Sequence, residues 1–152
     1  MAERAIVFDG SNLSYSAADH IKMWRSFLRV FTGVVQTTDT RDNAHNELEV
    51  VAGSGLQVQV REGLAFVDGY WYENTTPVTL TVANPHPSNA RIDVVALELN
   101  ILNETINARI IAGVPSATPV EPNLTNNTNI KQLKLARIDA VSYTHLTLPT
   151  KA

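Results

Sequence analysis

The sequence predicts a mainly β chain: an antiparallel sandwich or jelly-roll-like domain preceded by one N-terminal amphipathic helix. Three observations carry this. Apolar and polar residues alternate with period two in short stretches between Leu56 and Ile138, as strands with one buried face do. Turn-forming residues separate those stretches at close, even spacing, the pattern of antiparallel sheet pairs. The stretch with helical spacing of apolar residues lies before Gly33.

The helix comes first. Ser16-Ala17-Ala18-Asp19 has the spacing of a capping box, with Asp in place of Glu or Gln. Ile21, Trp24, Phe27, Leu28 and Phe31 then fall at the i, i+3, i+6, i+7 and i+10 positions of one face. Lys22, Arg25 and Arg29 lie on the opposite face, where basic residues suit the later turns. Gly33 supplies a stop. The stripe has two readings. It packs on its own domain, or Trp24, Phe27 and Phe31 form an oligomer interface with the same helix of neighbouring subunits.

Residues 1–33 are therefore expected as an N-terminal segment, and residues 34–47 as a linker. The run Q-T-T-D-T-R-D-N-A-H-N within that linker is polar and rich in turn formers. The β-domain is expected over residues 48–140. Leu48 to Ala52 opens it, and Leu56, Val58 and Val60 alternate with Gln57 and Gln59. Asp68-Gly69 sits between Leu64–Val67 and Tyr70–Tyr72, a strong hairpin signal, because a type I′ turn needs positive φ at both central positions. Val78, Leu80 and Val82 alternate with Thr79 and Thr81. Asn84 to Asn89 reads as a loop. Arg91 to Ile101 is the longest strand, with Val95, Leu97, Leu99 and Ile101 on one face. Asn103-Glu104 turns the chain into Ile106, Ala108 and Ile110. Val114 to Asn129, rich in Pro, Thr and Asn, reads as a loop crossing over the domain, and Ile130 to Ile138 returns as a strand.

Composition narrows the function. The chain has 152 residues, enough for one domain with a real core. Its net charge of −3 and lack of a basic stripe give nucleic-acid binding no electrostatic support. No window nears the roughly 18 consecutive apolar residues of a membrane span. The start, M-A-E-R-A-I-V-F-D-G, lacks the apolar core of a secretory signal. Without cysteine there are no disulfides or thiolate metal sites. The Asn74-Thr75-Thr76 and Asn123-Leu124-Thr125 triplets then read as polar turn chemistry. No metal or organic cofactor is expected.

Residues with catalytic potential are sparse. His20 falls in the helix, His45 in the linker and His86 between two prolines, and His145 lies near the end of the chain. No H-E-x-x-H, G-x-S-x-G, Walker A or G-x-G-x-x-G pattern occurs. Asp68, Glu73, Asp93 and Glu98 are the carboxylates from which a glycosidase pair would have to come. Each has a structural role instead: Asp68 in the turn, Glu98 on the polar face of its strand, and Asp93 as an i, i+2 ion-pair partner of Arg91. The expectation is no enzyme. Tyr70, Trp71 and Tyr72 are candidates for stacking a glycan, but alternation sends Trp71 to one face and the tyrosines to the other. Core packing is the preferred role for the cluster, Trp71 included.

The order G-L-x-V-x-V-x-x-G-x-A-F-V-D-G-Y-W-Y-E-N, V-T-L-T-V, P-x-x-x-A-R-I-D-x-V-x-L and A-G-x-P-x-x-x-P-x-x-P resembles the N-terminal domain of tailed-bacteriophage baseplate and receptor-binding (tail fibre) proteins. The opening F-D-G-S and the Tyr-Ser-Ala-Ala-Asp helix start are similar to the same proteins. The likeness covers most of Ile6 to Ile138. It departs at Arg91-Ile92-Asp93-Val94, where a second basic residue often follows the Asp. The resemblance implies a virion structural protein, made in the bacterial cytoplasm and assembled into the tail tip. It implies an N-terminal module that attaches to the baseplate, commonly as a homotrimer. Other tail and baseplate proteins are the implied partners, with host-cell saccharide contacted through a C-terminal region beyond this sequence. The alternatives are a carbohydrate-binding module using Tyr70, Trp71 and Tyr72, or an accessory domain of a prophage-encoded hydrolase truncated before its catalytic part.

Val141 to Thr150, V-S-Y-T-H-L-T-L-P-T, matches a transposon-end sequencing adapter translated in frame (GTC TCT TAT ACA CAT CTG ACG CTG CCG ACG). Residues 141–152 are therefore expected to be foreign to the natural protein, whose gene would continue past Ala140.

Overall fold

The structure, a computed structural model, describes residues 32–35, 47–141 and 150–151. The helix expected near Ser16 to Phe31 lies outside them, and so do Trp24, Phe27 and Phe31. Among the described residues the chain is mainly β, with no helix. Its strands in order are β1 (Gly33–Val35), β2 (Val50–Ala52), β3 (Gln57–Val60), β4 (Gly63–Val67), β5 (Tyr70–Asn74), β6 (Val78–Thr81), β7 (Arg91–Asn100), β8 (Thr105–Ile111), β9 (Ile130–Ala140) and β10 (Thr150–Lys151). They form three antiparallel sheets, ordered β1-β4-β5, β2-β3-β6 and β10-β9-β7-β8.

Local chemistry explains the hairpins. Asp68 and Gly69 have φ of 49° and 81°, the two positive values a type I′ turn demands. The Asp68 amide donates to the Thr32 hydroxyl at 3.2 Å, which ties the turn to the approach to β1. At the other end of β4, Gly63 has φ 155°. A Cβ there would lie 2.5 Å from the backbone nitrogen of Leu48. That close approach lets the Leu48 amide donate to the Glu62 carbonyl at 3.0 Å and bury the Leu48 side chain.

β1 is a difference from the sequence reading, which made Gly33 a stop and began the linker at Val34. Gly33–Val35 pair with Phe66, Ala65 and Leu64 of β4. Three residues are too few to display alternation. Val34 lies opposite the small Ala65 and packs against the core, and this long-range contact makes the strand.

One apolar core joins the three sheets. Val58 and Val60 of β3, Ala65 and Val67 of β4, Val95, Leu97 and Leu99 of β7, and Ile138 of β9 all belong to it and are nearly inaccessible. On β9 the register against β7 shifts by one: Val95 faces Ala136 while Ala96 faces Lys134, so Leu135 is the extra residue of a bulge. The bulge lets the consecutive Leu135 and Ala136 both bury.

β7 is central to its sheet and buried on both sides. Val95, Leu97 and Leu99 face the common core, while Ile92, Val94 and Ala96 of the opposite face are also buried. The residues between β8 and β9 form a strap across that opposite face. Ser116 bridges to Ala90, Glu121 reaches Lys134, and Asn126 bridges to Lys131. The crossing loop expected over Val114 to Asn129 thus has a packing role.

Candidate functional site

Two regions hold the residues with functional potential: the aromatic hairpin β4–β5 and the charged groups around β7. In the hairpin, alternation divides the three aromatics. Tyr70 and Tyr72 are half-buried and pack against the core. Burial pushes the Tyr72 phenol above its ordinary pKa. Trp71 turns the other way and is 51% exposed. The core role read for Trp71 is therefore corrected, since the tyrosines are the ones that pack inward. Phe66, directly across from Trp71 in the register, meets it edge-on with centroids 5.0 Å apart and planes at 69°. The outer face of the hairpin thus carries Leu64, Phe66, Trp71 and Glu73. Tyr70, Trp71 and Tyr72 do not form one stacking platform.

The second region begins with Arg91 and Asp93. Two residues apart, they leave β7 on the same face. Arg91 Nε donates to Asp93 Oδ1 at 2.8 Å and Nη2 to Oδ2 at 3.0 Å. The same guanidinium donates to the carbonyls of Asn84 at 3.2 Å and Ala83 at 2.9 Å. Asp93 also accepts from the Gly113 amide at 2.9 Å. This buried pair therefore satisfies its polar atoms by gathering β7, the loop after β6 and the start of the strap. Gly113 is required there, because a Cβ would fall 2.0 Å from the Ile92 carbonyl oxygen.

Glu98 leaves β7 by the opposite face. Its carboxylate accepts from Arg109 of β8 and, at 2.7 Å, from Gln132 of β9. Gln132 in turn accepts from the Thr125 amide of the strap at 2.7 Å. Burial pushes the Glu98 carboxyl upward. The hydrogen bonds from Gln132 and Arg109, with the Arg109 charge, outweigh that and hold its pKa below the ordinary value. Lys134 grips both oxygens of Glu121 at 2.8 and 2.9 Å, a further tie between β9 and the strap. Arg109, Gln132 and Thr125 escaped the sequence reading. Alternation puts Arg109 and Gln132 on the side of Glu98, but only cross-strand register brings them together.

β9 repeats a motif of β7. Ala90-Arg91-Ile92-Asp93 and Ala136-Arg137-Ile138-Asp139 are the same four residues. In the second, Arg137 donates to Asp139 at 3.0 and 2.6 Å, yet both side chains are about two-fifths exposed. Asp93 sits opposite Ile138 and Ile92 opposite Asp139, so the two charged pairs point to opposite faces of one sheet.

The remaining residues are dispersed. Asp93 and Glu98 leave β7 by opposite faces, Asp68 sits in the hairpin turn, and Glu73 is exposed beside Trp71. They are not brought together as a glycosidase pair. His86 Nδ1 accepts from the amides of Ser88 and Asn89 at 3.2 and 3.1 Å, organising its own loop. His20, His45 and His145 lie outside the described residues. Among the described residues no three His, Asp or Glu side chains cluster as metal ligands. Comparison with protein-family models, curated proteins and solved structures finds no match to this chain.

Proposed function

We propose that this chain is the anchoring module of a bacteriophage tail protein, of the baseplate or receptor-binding kind. Its three sheets act as an antiparallel sandwich or jelly-roll-like support. It works by assembly, as a homotrimer joined to other tail proteins at the tail tip, after synthesis in the bacterial cytoplasm. The ordered resemblance of its segments supports this reading. So does the one structural observation that carries it: the Arg91–Asp93 pair is spent on bracing the backbone at Ala83, Asn84 and Gly113. Such bracing suits a module that transmits load between neighbours. Sequencing the DNA on either side of the gene tests the origin, since tape-measure and distal-tail genes should flank it. Light scattering of residues 1–140 tests the assembly, and a monomer at high micromolar concentration counts against it.

One observation favours a second reading. Trp71 is exposed on a sheet face, as a sugar-stacking residue would be. A carbohydrate-binding module would bind glycans on an array and lose that binding on Trp71→Ala while staying folded. The inward turn of Tyr70 and Tyr72 weighs against it.

A further inference from the structure

We infer that the outer face of β4 and β5 is the seat of the apolar stripe Ile21, Trp24, Phe27 and Phe31 of the same chain. The inference is independent of the tail-protein reading. It assigns the stripe to a surface within the subunit instead of to its counterparts in other subunits, so a trimer would be built on other contacts.

The register carries the argument. Gly33 of β1 lies opposite Phe66, and Phe66 lies opposite Trp71. The chain therefore enters β1 beside these two rings, and 31 residues precede Thr32. Val34 packs on the core side, so Gly33 belongs to the outer face. Phe31 stands two residues before it in the sequence. Two residues span at most about 7 Å, so Phe31 cannot travel far from Phe66 and Trp71. Gly33 adds room. A Cβ there would meet none of the described residues within 4 Å.

Length and charge fit as well. A helix over residues 21–31 is about 16 Å long, and the five-residue strands β4 and β5 run about 17 Å. A helix folded back from Phe31 would run from the Asp68-Gly69 end towards Leu64 and Glu73. Trp24 and Ile21 then come over Leu64. Lys22, Arg25 and Arg29, on the opposite side of such a helix, would be left to solvent. Covering Trp71 would also remove the largest ring exposed among the described residues from water.

Because the chain has no cysteine, a cross-link can test this cleanly. In the full chain, Phe27→Cys combined with Trp71→Cys should oxidise to an intramolecular disulfide, seen as a faster monomer band on a non-reducing gel. Covalent dimers from Phe27→Cys alone, or no disulfide in the double variant, would overturn the inference. A second measurement avoids reliance on the engineered pair. Trp71→Glu changes an exposed side chain, so the sheet signal in circular dichroism should persist. Hydrogen-exchange protection over residues 21–31 should fall at least tenfold. Unchanged protection there would also overturn it.

Discussion

Arg91 and Asp93 close a two-pronged ion pair at 2.8 and 3.0 Å in a site where Asp93 is 0% exposed. Removing one partner strands the other charge away from water. Asp93→Ala should cost about 3–5 kcal/mol in urea unfolding. The double variant Arg91→Leu, Asp93→Leu should cost less than the sum of the two single changes. Additive losses would mean that the two side chains do not act as a pair.

Gly113 should resist any side chain. Gly113→Ala drives a methyl group into the Ile92 carbonyl, and the strap must withdraw from Asp93. The expected loss is about 1–3 kcal/mol, the range for overpacking. Thermal unfolding unchanged from the parent would show that the strap can shift freely.

The Asp68-Gly69 turn holds both residues at positive φ. Gly69→Val should therefore cost about 1–2 kcal/mol. The companion change Asp68→Asn should be close to neutral, because asparagine tolerates the same conformation. Equal losses in the two variants would point to the side chain of Asp68, not the backbone, as the source of turn stability.

Trp71 and Leu97 should rank opposite to their sizes. Leu97 is fully buried between β8 and β9, and Leu97→Ala should cost about 2–5 kcal/mol. Trp71→Ala loses a half-exposed ring and one edge-on contact, and about 1–2 kcal/mol is expected. Chemical denaturation of the two variants side by side would reverse this order only if Trp71 were a core residue.

Glu98 gives the fold an acid-sensitive brace. Its folded carboxyl titrates below the unfolded value because Gln132 and Arg109 together outweigh burial. Its contribution is therefore complete above the unfolded pKa and is lost as pH falls through the lower folded value. Stability of the parent should drop more steeply below about pH 4 than that of Glu98→Gln. Parallel pH profiles would remove Glu98 from the account.

The sequence makes some of this legible and hides the rest for physical reasons. The hairpin at Asp68-Gly69 is local, so two residues announce it. The alternation of Leu56 to Val60 and of Val95 to Leu99 reveals the core face directly. The burial of Ile92, Val94 and Ala96 depends on a strap that arrives some twenty residues later. β1 exists through its contact with Ala65, and β3 pairs with β6 across an intervening hairpin. The repeated Ala-Arg-Ile-Asp is the sharpest case. Identical neighbours in sequence leave one ion pair sealed and the other partly exposed, because register against the partner strand decides the face.

The register of β7 also has a consequence for how the chain folds. β8 can zip onto β7 as soon as the turn at Ile101 to Glu104 forms, but β9 pairs Ile130 with Asn100 and Ala140 with Arg91. A loop through the whole strap must close before that second ladder begins, and such non-local pairing is slow. During synthesis, the nascent chain would expose one edge of its central strand until Ala140 clears the ribosome. The amide protons of β7, once flanked on both sides, should then be among the last to exchange with solvent, since their release requires the whole fold to open.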